Sequence, residues 1–236
     1  MPRTLLKTLL MPGWIAFRTY WKGIVLLQGL AALYAWGYFT AEPIRRISEA
    51  LSLWKEEAGI PFVIISTVIS GALIPELLKL KLRPAGLAAP TWGDFFHVVL
   101  LYALFGVMVD FLYTFQDVVF GPSDHWRIVV YKILFDQYVY TLLVAAPLAV
   151  SWFAWRRHSY RVFDVVRLWS LTWYVQTVLP IVVSGSFFWI PVLACVYSLP
   201  APLRFPLFLF ANSAWALLLI FMARRGPDVH QQRTMT

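Results

Sequence analysis

The 236-residue chain is 60% hydrophobic and only 14% charged, with a mean hydropathy of +0.68, whereas soluble domains run near about 25% charged; a water-soluble fold is thereby excluded. The formal net charge of +8 comes from Lys and Arg dispersed in short loops rather than gathered on one face, which argues against a nucleic-acid partner and for control of membrane topology. Cys195 is the single cysteine, so no intrachain disulfide can form, and His97, His125, His158 and His230 stand too far apart in sequence for a zinc motif.

Residues 1–22 carry Arg3, Lys7, Arg18 and Lys22 around short apolar stretches. No small-residue cleavage site follows them, so the segment reads as mature chain, a basic amphipathic lead-in suited to anionic headgroups. The first charge-free run is 23–41. In residues 42–54, Ile44, Ile47, Leu51 and Trp54 fall on one helical face with Arg45, Arg46 and Glu49 off it, and Pro43 suits a first turn, which predicts a short helix lying at the interface.

The second run, 58–75, lies between Glu57 and Glu76. The third, 95–109, is short, but its apolar pattern continues through Phe111, Leu112, Tyr113 and Phe115 to Phe120, so a helix of spanning length carries Asp110 within it. The fourth run is 137–155, with Lys132, Asp136 and Gln137 as a polar collar at its mouth. The fifth, 168–203, contains Pro180, Pro191, Pro200 and Pro202, and the sixth is 205–223. Each run is set by its flanking charges, because a charge at the centre of a lipid-facing helix costs at least about 2.5 kcal/mol.

The fifth run is long enough for one crossing plus an interfacial segment or for two crossings. A single crossing, with the N-terminus inside, places fourteen Lys/Arg in the cytoplasmic segments 1–22, 76–94, 156–167 and 224–236, against six outside: Arg45, Arg46, Lys55, Arg127, Lys132 and Arg204. Two crossings would dilute that bias, so the expectation is an all-α integral membrane bundle of about six transmembrane helices plus a short interfacial helix, with both termini cytoplasmic. Its parts are an N-terminal extension (1–58), a membrane domain (59–223) and a polar basic tail (224–236). Most of the Trp and Tyr near run ends are accounted for by aromatic belts.

Asp110, Tyr113 or Thr114, and Asp117 are spaced to share one helix face. Two readings compete: the acids line a hydrated vestibule, or they pair with Arg127, Lys132 or Arg204, and pairing is preferred because buried charges are normally paired. Gln28, Gln116, Gln176 and Asn212 are explained at least as well by interhelical hydrogen bonds as by transport. Arg204, flanked by Pro200 and Pro202, is expected at a turn, holding Asp110, Asp136 or the carbonyls that end a neighbouring span.

Gly106-x-x-x-Asp110-x-x-Tyr113, Gly121-Pro122 with His125 nearby, Lys132-x-x-x-Asp136-Gln137, Trp189, Tyr197, Pro200-x-x-x-Arg204 and Trp215 occur in an order that resembles the Mpv-seventeen and twenty-two-kilodalton peroxisomal membrane protein family. The resemblance covers residues 95–222, and the segment 60–78, with Gly71 and Pro75, is only faintly similar. Thr141-Leu142 replaces a proline usual after the Asp-Gln pair, and Trp189-Ile190-Pro191 replaces a Trp-Pro, so the chain looks like a divergent, bacterial relative. The resemblance implies a small integral membrane protein associated with membrane permeability, with pore formation proposed for some members. It marks Asp110, Tyr113, Lys132, Asp136, Gln137, Pro200, Arg204 and Trp215 as signature positions and brings no catalytic residue.

The leading functional expectation is a pore or permease of the bacterial cytoplasmic membrane for small metabolites or ions, with Asp110, Tyr113, Asp117, Lys132, Asp136, Gln137, Arg204 and Trp215 as candidate pore-lining or signature residues. The alternative is a structural or lipid-organising protein without transport activity. An enzyme comes third and is not expected: Walker, dinucleotide and nucleophile-elbow motifs are absent, and His97, His125 and Asp124 are the only conceivable acid/base set. No cofactor or metal is expected; the partners are the lipid bilayer and a small metabolite or ion, with a homo-oligomer left open.

Overall fold

The structure, a computed structural model, describes residues 2–82, 91–121 and 125–224. Among the described residues eight helices follow in chain order: α1 (Pro2–Thr40), α2 (Glu42–Ala58), α3 (Ile60–Lys81), α4 (Trp92–Phe120), α5 (Trp126–Arg157), α6 (Val162–Leu168), α7 (Leu171–Val196) and α8 (Ala201–Arg224). Six of them, all but α2 and α6, are long and apolar enough to cross a membrane. No strand occurs among the described residues. The chain is an all-α integral membrane protein, and the long uncharged run 168–203 supplies one span, α7, followed by a tight turn.

Local chemistry sets the boundaries. The α4 start is a reciprocal capping box: the Asp94 amide donates to Thr91 Oγ1 (3.1 Å) while the Thr91 amide donates to the Asp94 carboxylate (3.0 Å), satisfying two amides the helix cannot bond internally. Gly59, at φ +55°, separates α2 from α3, and Gly121, at φ +89°, ends α4; both need backbone that a Cβ disfavours. Pro43 and Pro61 sit in the first turns of α2 and α3, where a missing N–H costs nothing. Pro12 and Pro206 lie inside α1 and α8 and Pro191 inside α7, and α1 bends at Tyr20, whose φ and ψ are −115° and 15°.

Three spans begin or end further into charged sequence than the runs predict. The first was expected to start at Gly23 after a basic lead-in, yet α1 is helical from Pro2 and its spanning stretch, from Thr8, carries Arg18 and Lys22. The second was expected to stop before Glu76, yet α3 runs on to Lys81; Glu76 and Lys79 are both buried and bonded at 2.6 Å. The i,i+3 pair cancels its own charge, which removes the reason for the helix to stop. The fourth was expected to start at Gln137, yet α5 starts at Trp126 and carries Arg127, Lys132 and Asp136 inside it. Arg204, expected at a turn, stands in the first turn of α8; the turn itself is 197–200, closed by bonds from the Ser198 and Leu199 amides to Cys195 and Val196.

The chain divides into two compact units. The unit formed by 20–132 and 190–217 is built on α3 lying along α4. Close approach there is enabled by glycine: a Cβ on Gly106 would meet Thr67 Cβ and the Val63 carbonyl at 3.3 Å, and one on Gly71 would fall inside the Tyr102 ring, the small-residue contact by which helices associate in lipid. Val196, Leu203 and Leu207 pack against Ala31, Tyr34, Ala35 and Tyr38 of α1. Ser48 of α2 is buried against the Tyr34 hydroxyl at 2.7 Å. The expected apolar face of α2 is therefore shared: Ile44 packs on Gly37, while Ile47 and Trp54 stay exposed.

The other unit comprises 1–19, 133–189 and 218–236. A Cβ on Gly13 would meet Ser184 Cβ at 2.8 Å, so α1 and α7 touch there backbone to side chain. Arg157 Nη1 donates to the Ala223 carbonyl (2.8 Å) and Trp169 Nε1 to Ser151 Oγ (3.2 Å). Residues 218–223, this unit's share of α8, are buried all round, as expected for a helix apolar on every face.

Candidate functional site

Three stretches of the spans widen from α to π geometry: 69–73 in α3, 136–145 in α5 and 174–178 in α7. Such i→i+5 bonding is uncommon and concentrates at functional sites, because it shifts the register of side chains and loosens the carbonyl ladder. The stretch in α5 begins at Asp136, the acid that follows the charges Arg127 and Lys132 on the same helix. Asp136 Oδ1 accepts from Gln137 Nε2 (3.1 Å) and from Thr141 Oγ1 (3.2 Å). The i,i+5 spacing of Asp136 and Thr141 places the hydroxyl on the carboxylate only because the helix is wide there.

Around this carboxylate, polar capacity is left over. Gln137 is buried, and its Oε1 has no hydrogen-bond partner among the described residues; the buried Tyr140 hydroxyl, within electrostatic reach of Asp136, has none either. Buried polar atoms are almost always satisfied, so each exception calls for an explanation, of which an exchangeable ligand or water is one. On α7, Thr177 Oγ1 and Trp173 Nε1 are also buried and unpartnered, while the Tyr174 hydroxyl donates to the Leu142 carbonyl (2.5 Å) and so ties the two widened stretches together. The arrangement offers a carboxylate, an amide oxygen and hydroxyls to a small polar solute or cation.

Lys132 Nζ bonds Asp117 Oδ1 at 2.6 Å, and Gln116 Nε2 donates to the Lys132 carbonyl at 3.0 Å, so α4 and α5 are fastened by an ion pair and an amide in adjacent positions. This is the preferred pairing of Asp117. Asp110 is half-buried and its carboxylate makes no hydrogen bond or ion pair among the described residues. Tyr113 is half-buried beside it. Arg204 Nε donates to the Leu199 carbonyl (3.1 Å) in the turn after α7, the carbonyl option of the two partners expected for it. Trp215 is buried in α8.

Of the uncharged polar residues, Gln116 and Asn212 make the interhelical bonds expected; Gln28 Nε2 is buried without a partner and Gln176 is exposed. His97 is buried in α4, and Asp124, the third member of the conceivable acid/base set, lies outside the described residues. Among the described residues no group of three His, Cys, Asp or Glu is placed to hold a metal ion. Sequence reading missed Thr141, noted only as standing where a proline was expected, and Ser70 and Tyr102 of α3 and α4. A polar residue five positions after an intramembrane Asp was the available signal for Thr141. Tyr102 carried no signal, being one more aromatic in an apolar run.

Comparison of the chain with family models, with curated proteins and with solved structures finds no match.

Proposed function

We propose that this integral membrane protein is a pore or permease for a small polar solute or ion, and that the widened stretch of α5 around Asp136 is the element that handles it. The observation that carries the reading is the Asp136 carboxylate held by Gln137 and Thr141 on π-helical backbone, with buried Gln137 Oε1 and Tyr140 oxygen left unpartnered beside it. Ionisable residues within spans are costly and mark solute or proton paths. The resemblance to the Mpv-seventeen and twenty-two-kilodalton peroxisomal membrane protein family supports the same reading, as do the absence of enzyme motifs in the sequence and a Lys/Arg bias fitting a bacterial cytoplasmic membrane with both termini inside.

Reconstitution into liposomes tests it. Flux of at least one solute or ion above empty liposomes is expected, and Asp136→Asn should slow it at least about tenfold, the effect of about 1.4 kcal/mol lost from a solute contact. No flux over a broad panel of ions, organic anions and neutral metabolites would overturn the proposal. A structural or lipid-organising role is favoured by a different observation, that Lys132–Asp117, Gln116–Lys132 and Asn212–Ser70 all serve as ties between spans; that role stands if flux is absent while the ties prove stabilising.

A further inference from the structure

The charge on Asp136 is not balanced from within the spans that surround it in sequence. No Lys, Arg or His occurs in 133–155 or 168–203, so neither α5 beyond this point nor α7 brings a cation to the carboxylate. Lys132, four positions earlier in the chain, is bonded to Asp117 at 2.6 Å. Among the described residues Asp136 makes no ion pair, and its two hydrogen bonds, from Gln137 Nε2 (3.1 Å) and Thr141 Oγ1 (3.2 Å), both end on Oδ1 and leave Oδ2 open. A carboxylate inside a span is costly unless a positive charge or a proton compensates it.

The groups beside it present oxygen. With Nε2 of Gln137 turned to the carboxylate, the amide aims Oε1 away from Oδ1, and that atom is unpartnered among the described residues in a side chain only 2% exposed. Covalent geometry keeps both Oε1 and Oδ2 within a few ångströms of the bond that joins their groups. The Thr141 hydroxyl gives its proton to Oδ1 and keeps its lone pairs, and the buried Tyr140 oxygen stands within electrostatic reach. An anion would meet acceptors here, whereas a hard cation is bound by such oxygens. One carboxylate balances one positive charge, so a divalent ion would bring an uncompensated charge into an apolar span. Asp136 is itself only half-buried, which leaves an approach for the ion. The geometry points to Asp136 Oδ2 and Gln137 Oε1, backed by Thr141 Oγ1, as a binding site for a monovalent alkali-metal cation. This rests on the reading of the widened α5 stretch as the solute-handling element, and it fixes the charge class of what that element takes.

The test uses the full-length protein in phosphatidylcholine nanodiscs, with radioactive sodium binding and melting measured at constant ionic strength as sodium, potassium or lithium chloride replaces N-methylglucamine chloride. At least one of the three metal ions should bind saturably and raise the melting temperature. Asp136→Asn should weaken that binding at least about tenfold and Gln137→Leu about fivefold, whereas Glu49→Gln, exposed on α2, should leave it unchanged. Melting in N-methylglucamine chloride alone checks folding; should Gln137→Leu fail there, Thr141→Val, which removes only the hydroxyl, decides with a loss of about threefold. Absence of saturable binding for all three ions, or equal binding by wild type and Asp136→Asn, overturns the proposal. So does melting that follows pH but none of the ions, the mark of a carboxylate that carries a proton instead. Liposome flux separates this inference from the reading it rests on. Cation binding without any flux would keep the site and remove the pore, while flux of anions or neutral solutes without cation binding would keep the pore and remove the site.

Discussion

Asn212 Nδ2 of α8 donates to Ser70 Oγ of α3 at 2.8 Å, with both residues buried and 142 positions apart in the chain. The same hydroxyl donates to the Thr67 carbonyl at 3.3 Å, so Ser70 accepts from one helix and donates within its own. Interhelical hydrogen bonds in membranes contribute about 0.6 kcal/mol on average and up to about 1.7. Asn212→Ala is expected to lower unfolding free energy in detergent by about 1 kcal/mol, and Ser70→Ala by a similar amount. A double variant no worse than either single one would confirm that both act through this bond.

Gly71 faces the ring of Tyr102, which is 1% exposed, and any Cβ there would fall inside that ring. Overpacking of this kind costs about 1–3 kcal/mol. Gly71→Ala should therefore lower the melting temperature clearly, and adding Tyr102→Leu should recover part of the loss. Melting of the single and double variants measures it; a Gly71→Ala protein as stable as wild type would mean the helices are free to separate at this point.

The Lys132–Asp117 pair is unequal. Lys132 is largely buried while the Asp117 side chain is 53% exposed, so solvent screening limits what the pair contributes to about 0–1 kcal/mol. Asp117→Asn should change stability little. Replacing Gln116 by Leu removes a nearly fully buried donor from the Lys132 carbonyl and should cost more, about 1–2 kcal/mol. Chemical or thermal unfolding of the two variants side by side gives the ranking, and the reverse order would show that the ion pair holds α4 to α5.

Arg204 reaches the Leu199 carbonyl through Nε, a donor that lysine lacks in that position. Arg204→Lys keeps the charge but loses this bond, and should destabilise by about 1 kcal/mol, less than the loss expected of a buried carboxylate partner. Equal melting of wild type and Arg204→Lys would show that charge alone matters at the turn.

Six spans require the two ends of the chain to lie on the same side. Single cysteines at Gly226 and Ser123, positions outside the described residues, should label from opposite faces of oriented membrane vesicles, with Cys195 replaced by Ala beforehand. Labelling of both from one face contradicts the six-span topology.

Composition and charge spacing alone determined that the chain is a helical membrane protein with one crossing in 168–203, because lipid offers no partner to unbonded backbone and penalises every uncompensated charge. Those same rules misplaced the start of α1 and the ends of α3 and α5. They treat a charge as a boundary, and Glu76 is neutralised by Lys79 while Lys132 is neutralised by Asp117. The first of these pairs was open to an i,i+3 reading of the sequence. The second required two helices to meet. Asp136 and Gln137 were visible as polar residues at a span, but the widened backbone that brings Thr141 onto the carboxylate, and the unpartnered oxygens beside it, were not. A π turn depends on what packs around the helix rather than on any residue within it, and whether a buried polar atom is satisfied is decided only when every neighbouring helix is in place.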